Sequence, residues 1–114
     1  MAYTEKNITI AGKTILQKKN TYHGHTQYFF FDGDKLIAVM EKDIVIASHI
    51  IERNNHSYVS TRKMNGWVVK TNIEMSEDGL TYSEAKATKK AFRLVKEAKA
   101  YCFAEIENLL IEVK

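Results

Sequence analysis

The chain has 114 residues, of which 45% are hydrophobic and 27% charged, with a formal net charge of +3. That is enough to build one core and not two, and too little positive charge for a basic tail or a dedicated duplex binder. The expectation is therefore a single domain, 1–114, with a strand-rich part (5–74) and a helical part (81–113).

Fourteen lysines against three arginines, eleven isoleucines, seven asparagines and no proline make a bias that AT-rich codons produce, as in small phage and mobile-element genomes. The single cysteine, Cys102, excludes an intramolecular disulfide. An N-terminus without an apolar signal core, and no run of membrane-spanning length, lead to the expectation of a cytoplasmic protein.

In chain order, Asn7-Ile8-Thr9-Ile10 alternates, Ala11-Gly12 turns, and Thr14-Ile15-Leu16-Gln17 continues extended, a first hairpin. Gly12-Lys13-Thr14 is no phosphate loop: the motif's first glycine would fall at Asn7, and β-prone residues flank the triplet. A second hairpin turns at Asp32-Gly33-Asp34, between Tyr28-Phe29-Phe30-Phe31 and Leu36-Ile37-Ala38-Val39-Met40. Both runs are apolar on both faces, which predicts cover on two sides, one by a helix and the other by a curled sheet or a second subunit.

Glu41-Lys42-Asp43 reads as a polar turn into the apolar run 44–51, and Arg53-Asn54-Asn55 breaks the pattern. Residues 56–63 alternate as a half-exposed edge strand. Met64-Asn65-Gly66 is a third hairpin signal, leading to Trp67-Val68-Val69-Lys70-Thr71.

Thr81-Tyr82-Ser83-Glu84 has capping-box spacing, and Ala91, Val95, Ala98, Cys102, Ile106, Leu109 and Val113 then recur every three or four residues. The prediction is one long helix over 81–113, with an end projecting beyond the sheet. The fold expectation is α+β: six to seven antiparallel strands in a strongly curled sheet, a partial barrel, covered by that C-terminal helix. Seven strands and a terminal helix also describe the pleckstrin-homology superfold, as an architectural analogy and without family-specific residues.

Projected on a helix, Lys86, Lys89, Lys90, Arg93 and Lys96 gather opposite the apolar stripe, an order that opposes the helix dipole. Leu94 and Tyr101 flank the stripe and imply a second contact, with a protein target or with a second copy in a homodimer. These seven residues are the expected partner-binding surface. Reversing charge at Lys89, Lys90 and Arg93 is expected to keep the fold and weaken binding.

The alternative surface is a nucleic-acid face of Tyr58, Arg62, Lys63, Trp67 and Lys70 across the Asn65-Gly66 hairpin, aromatics for base stacking among cations for phosphates. His23 and His25 are weak metal candidates, two imidazoles spaced as on one strand face with Asp32 and Asp34 beyond, but short of a full ligand set. No nucleophile motif is present, Cys102 falls on the core stripe, and His49 is expected to be buried and structural. No catalytic residue and no cofactor are assigned.

The reading is a non-catalytic macromolecule-binding protein. First comes a small protein-binding inhibitor or adaptor, then a single-stranded DNA- or RNA-binding protein, then a small metal-dependent hydrolase.

Overall fold

The computed structural model describes residues 2–75 and 82–112. Among these residues eight strands and one helix follow in the order β1 (Ala2–Ile10), β2 (Lys13–Tyr22), β3 (His25–Asp32), β4 (Lys35–Arg53), β5 (His56–Thr71), β6 (Glu74–Met75), β7 (Tyr82–Ser83), β8 (Thr88–Phe92) and α1 (Val95–Glu112). Three connections are two-residue turns with both φ positive: Ala11-Gly12, His23-Gly24 and Asn54-Asn55. This backbone matches the right-handed twist of the strands it joins, so each connection makes a tight hairpin. At the Asp32-Gly33-Asp34 turn the ladder slips, Phe30 facing Ala38 and Phe31 facing Leu36, the signature of a β-bulge.

The main sheet is antiparallel, with strand order β1-β2-β3-β4-β5-β8. Alternation along the strands divides its side chains between two faces. On one face Ile15, Tyr28, Phe30, Met40 and Val69 pack against Ala98, Cys102 and Ile106 of the helix. The Phe30 and Phe103 rings meet edge-to-face at 5.8 Å, a favoured aromatic geometry. On the other face Leu36, Val39 and Ile73 are buried with Phe29, Phe31, Met75 and Tyr82 around them. The short β6-β7 pair covers this side through Met75 and Tyr82, in place of the expected curled sheet.

The α+β character holds, but the strongly curled partial barrel does not. The sheet is open, with β1 and β8 at opposite edges and unpaired to one another. The pleckstrin-homology analogy, which needs a curled sheet, falls with it.

The helix is also shorter than its periodicity predicted. Residues 88–92 instead form an edge strand that pairs with β5 in the register Trp67↔Phe92 to Thr71↔Thr88, and Ala98 N–H donates to the Leu94 carbonyl at 3.1 Å in the first helical turn. The β5 edge offers these residues a full ladder of main-chain hydrogen bonds and places Phe92 beside Trp67, which outweighs a modest local helix preference. Glu84 lies outside the helix and turns to Lys70, while Thr81, its expected capping partner, lies outside the described residues.

What projects from the sheet is a hairpin. Pairing of β3 with β4 ends at Gln27↔Glu41 and pairing of β8 with β5 ends at Trp67↔Phe92, yet β4 and β5 stay paired from Ala38↔Thr71 out to Arg53↔His56. The expected turns at Glu41-Lys42-Asp43 and Asn65-Gly66 are therefore strand, because Lys42 faces Trp67 and Asp43 faces Gly66 within one ladder. Residues 42–53 and 56–66 form a two-stranded arm, roughly 35 Å long at the rise of a β-strand. The radius of gyration of 17.0 Å and the 58 Å long axis reflect it, since a compact chain of this length has a radius near about 13 Å.

Candidate functional site

The arm begins at Gly66. A Cβ there would lie 2.5 Å from the Phe92 carbonyl oxygen and 2.5 Å from a Val45 methyl, so only glycine lets Val45 cross to the root of β8. Val45, 8% exposed, is buried in the arm. On the opposite face Ile44, Ile46 and Ile50 are 62%, 67% and 70% exposed, and Val59, across from Ile50, is 72% exposed. Tyr58 and Arg62 share the Val45 face, with the Tyr58 ring 6.4 Å from that of His56 near the tip.

Four large aliphatic side chains thus stand in water along one face of a thin ribbon, interspersed with Lys63, Asn65 and Thr61 of β5, and such a grouping of exposed apolar side chains makes this face a candidate interaction site. At the root a shallow cleft of about 350 Å³ separates the ribbon from the His23-Gly24 turn, lined also by His25, Lys42, Asp43, Ile44 and Asn65. The Asp43 carboxylate accepts the Ile44 N–H at 2.7 Å there.

The expected basic helical face is dispersed. Lys86 sits in a turn, 3.8 Å from Glu74. Lys89 and Lys90 point to opposite faces of β8, Lys89 to Glu84 at 3.1 Å and Lys90 over the Tyr101 ring at 5.6 Å. Arg93 and Leu94 are exposed in the bend before the helix, and Lys96 is exposed in its first turn. Tyr101 is half-buried against Phe92, with ring centroids 5.1 Å apart. Of the seven residues, only Lys96 and Tyr101 belong to the helix.

The expected nucleic-acid face is divided as well. Tyr58 and Arg62 lie on one face of the arm and Lys63 on the other. Trp67 packs toward Tyr28, 6.0 Å between rings, in the helix-side core. Lys70 is buried in an ion cluster: it pairs with Glu41 and, at 2.7 Å, with Glu84, while Gln27 donates to Glu41 at 3.0 Å and His25 lies 3.6 Å from it.

Burial alone would lower the Lys70 pKa, but hydrogen bonds and charge from Glu41 and Glu84 outweigh it and push the group up to about 12. For Glu41 burial would raise the value, and the bonds from Lys70 and Gln27 with the Lys70 charge bring it below the usual carboxylate range. Glu84 is lowered by its bonds to Lys70 and Lys89. The cluster compensates its own charge and ties β4, β5, β8 and the 84–87 turn together.

His23 occupies a turn at φ 49° with its ring against Tyr22, and only His25 is in a strand, so the pair does not share a strand face. Among the described residues no three His, Cys, Asp or Glu side chains gather as metal ligands. Cys102 is fully buried, and burial, with Glu105 adding, pushes its thiol up to about 12, leaving no thiolate at neutral pH. The His49 side chain lies outside the described residues. No helix among the described residues is long and apolar enough to cross a membrane.

No family model, curated protein or solved structure matches this chain. Its geometry alone carries the functional reading. Local chemistry hides the arm because Glu41-Lys42-Asp43 and Asn65-Gly66 read as turns, whereas both lie within the β4-β5 ladder. One signal for it lies in the sequence: two strand runs of similar length flank Asn54-Asn55, one apolar and one polar.

Proposed function

We propose that this chain is a non-catalytic, cytoplasmic protein-binding module, an inhibitor or adaptor in kind, and that the β4-β5 arm is its contact element. One observation carries the reading: the arm holds Ile44, Ile46, Ile50 and Val59 in solvent on one face, well away from the core that the rest of the molecule buries. Apolar surface kept exposed on a projecting ribbon costs solubility and adds nothing to the fold of the monomer, and contact with another protein surface recovers that cost. Dispersal of the lysines over β8, the bend and the helix moves the working surface from the helix to the arm.

Single-stranded nucleic acid is the second reading, supported by Tyr58 and Arg62 together on the other face of the arm. It has lost Trp67 and Lys70, and with them the continuous stacking and phosphate-neutralising surface such a face requires.

A photo-crosslinking residue at position 46, compared with one at position 96 on the helix, tests the assignment in the cell that makes the protein. Protein adducts from position 46 are the expected result. Adducts from position 96 alone would return the working surface to the helix, and nucleic-acid adducts from the arm would establish the second reading in place of the first.

A further inference from the structure

The outer edge of β4 differs from the other long strand edges of the molecule. Edges exposed to water are usually guarded by charge, lysine above all, or by proline. The β1 edge carries Glu5 and Lys6, the β8 edge Lys89 and Lys90, and the arm's β5 edge Arg62 and Lys63. From Asp43 to Glu52, β4 has no lysine, arginine or proline, and beyond Glu41 that edge has no ladder partner among the described residues.

Its hydrogen-bonding groups are set by the turn. A two-residue turn at Asn54-Asn55 closes on Arg53↔His56 as a hydrogen-bonded pair. Alternation then points the odd-numbered residues of β4 at β5 and leaves the N–H and C=O groups of Ile44, Ile46, Ser48, Ile50 and Glu52 on the free edge. The Ile44 N–H, capped by the Asp43 carboxylate, fits this assignment.

We propose that two copies of this chain pair β4 against β4, antiparallel, across a two-fold axis at Ser48. The inference rests on the arm being the contact element and names its partner as a second copy. Ser48 then faces Ser48 of the second copy, and Ile46 faces Ile50 of the second copy, twice. These three edge pairs exchange about six main-chain hydrogen bonds, and each Ile46 gains an aliphatic cross-strand neighbour.

Charge agrees with the same register. Asp43 and Arg53 each lie five residues from Ser48, so the axis brings the Arg53 of one copy to the Asp43 of the other at both ends. The hairpin tip carrying Arg53 arrives at the shallow cleft between the ribbon and the His23-Gly24 turn, which Asp43 lines. Pairing β5 edges instead would set Arg62 and Lys63 against one another with no acid between residues 56 and 66 to offset them.

Light scattering on the purified protein, with variants that read the register, tests the pairing. The wild type is expected at twice the chain mass. Ile46→Lys/Ile50→Lys sets like charges opposite each other and should raise the dimer dissociation constant by on the order of a hundredfold, whereas Ile46→Lys/Ile50→Glu sets opposite charges together and should remain dimeric. Ser48→Cys should form an interchain disulfide on oxidation, with the fully buried Cys102 not competing.

A monomeric wild type, or a Lys/Lys variant that dimerises as well as the Lys/Glu variant, overturns the inference. A monomer whose position 46 still crosslinks to another protein overturns self-pairing and leaves the arm as the contact element. A monomer with no crosslink from position 46 removes both.

Discussion

Val45 lies directly against Gly66, so close that a methyl group on residue 66 would come within 2.5 Å of its Cγ2 and of the Phe92 carbonyl oxygen. One neighbour is backbone of an edge strand and the other a buried side chain already packed. Neither can withdraw without opening the junction where the arm leaves the sheet. Gly66→Ala should therefore cost about 1–3 kcal/mol, the range of overpacking a filled site. Urea unfolding checks it, with Asn65→Ala as the control: Asn65 is exposed, and its change should stay within about 0.5 kcal/mol.

The Lys70 cluster makes a second prediction. Lys70→Met removes the cation that two carboxylates converge on and leaves Glu41, only 12% exposed, with Gln27 as its remaining close partner besides His25. A loss of about 2–3 kcal/mol is expected, between the cost of an unmatched charge-assisted hydrogen bond and that of a broken buried pair. Glu41→Gln/Lys70→Met takes out both charges and should recover much of that loss. A double variant as unstable as Lys70→Met would mean that packing, and not the unpaired carboxylate, sets the cost.

The same cluster sets a pH dependence. Glu41 and Glu84 are held below the ordinary carboxylate value of 4.5, so the folded chain binds fewer protons than the unfolded one around that pH. Their contribution is full above about pH 4.5 and is lost as pH falls through the lower folded-state values. Lys70, raised from 10.5 to about 12, contributes fully below pH 10.5 and loses that contribution as pH rises through about 12. Urea midpoints from pH 7 to pH 3 should decline less steeply for Glu41→Gln than for the wild type, and parallel slopes would contradict the assignment.

Local chemistry made part of this molecule legible and left the arm hidden. Ala11-Gly12 and Asp32-Gly33 turn as their residue types require, and Ala98, Cys102 and Ile106 bury the stripe their spacing draws. Asn65-Gly66 carries the same dipeptide signal as a turn and is strand, because Val45 needs the space over Gly66 and that need is visible only once β4 and β5 are in register. Thr88-Lys89-Lys90-Ala91-Phe92 fits a helical period and a strand equally, and the β5 edge decides between them. His23 and His25 are spaced as on one strand face, yet the positive φ angles of His23 and Gly24 make them a turn, and only His25 is in a strand. At Asn65-Gly66 and at residues 88–92 a long-range pairing overrides a local preference.

Cys102 offers a check on the helix-side core. Its thiol is fully buried and pushed up to about 12, so a thiol reagent near neutral pH should label it only through opening of the fold. Labelling is expected to track global unfolding in urea and to be slow in buffer. Fast labelling of the native protein would mean that α1 lifts from the sheet by itself.

Neighbouring positions on β4 separate what the arm does for the fold from what it presents to a partner. Val45 is buried against Gly66, and truncation to Ala should cost about 1–2 kcal/mol, near the lower end of large-to-small core changes. Ile46, one residue on and facing the other way, is exposed, and Ile46→Thr should change stability by less than about 0.5 kcal/mol while keeping a β-branched strand former. Urea unfolding of the two variants side by side reads the difference, at a protein concentration low enough that self-association adds nothing. Equal losses would place both side chains in a core, and the arm would then be a structural extension of the sheet and not a surface held ready for contact.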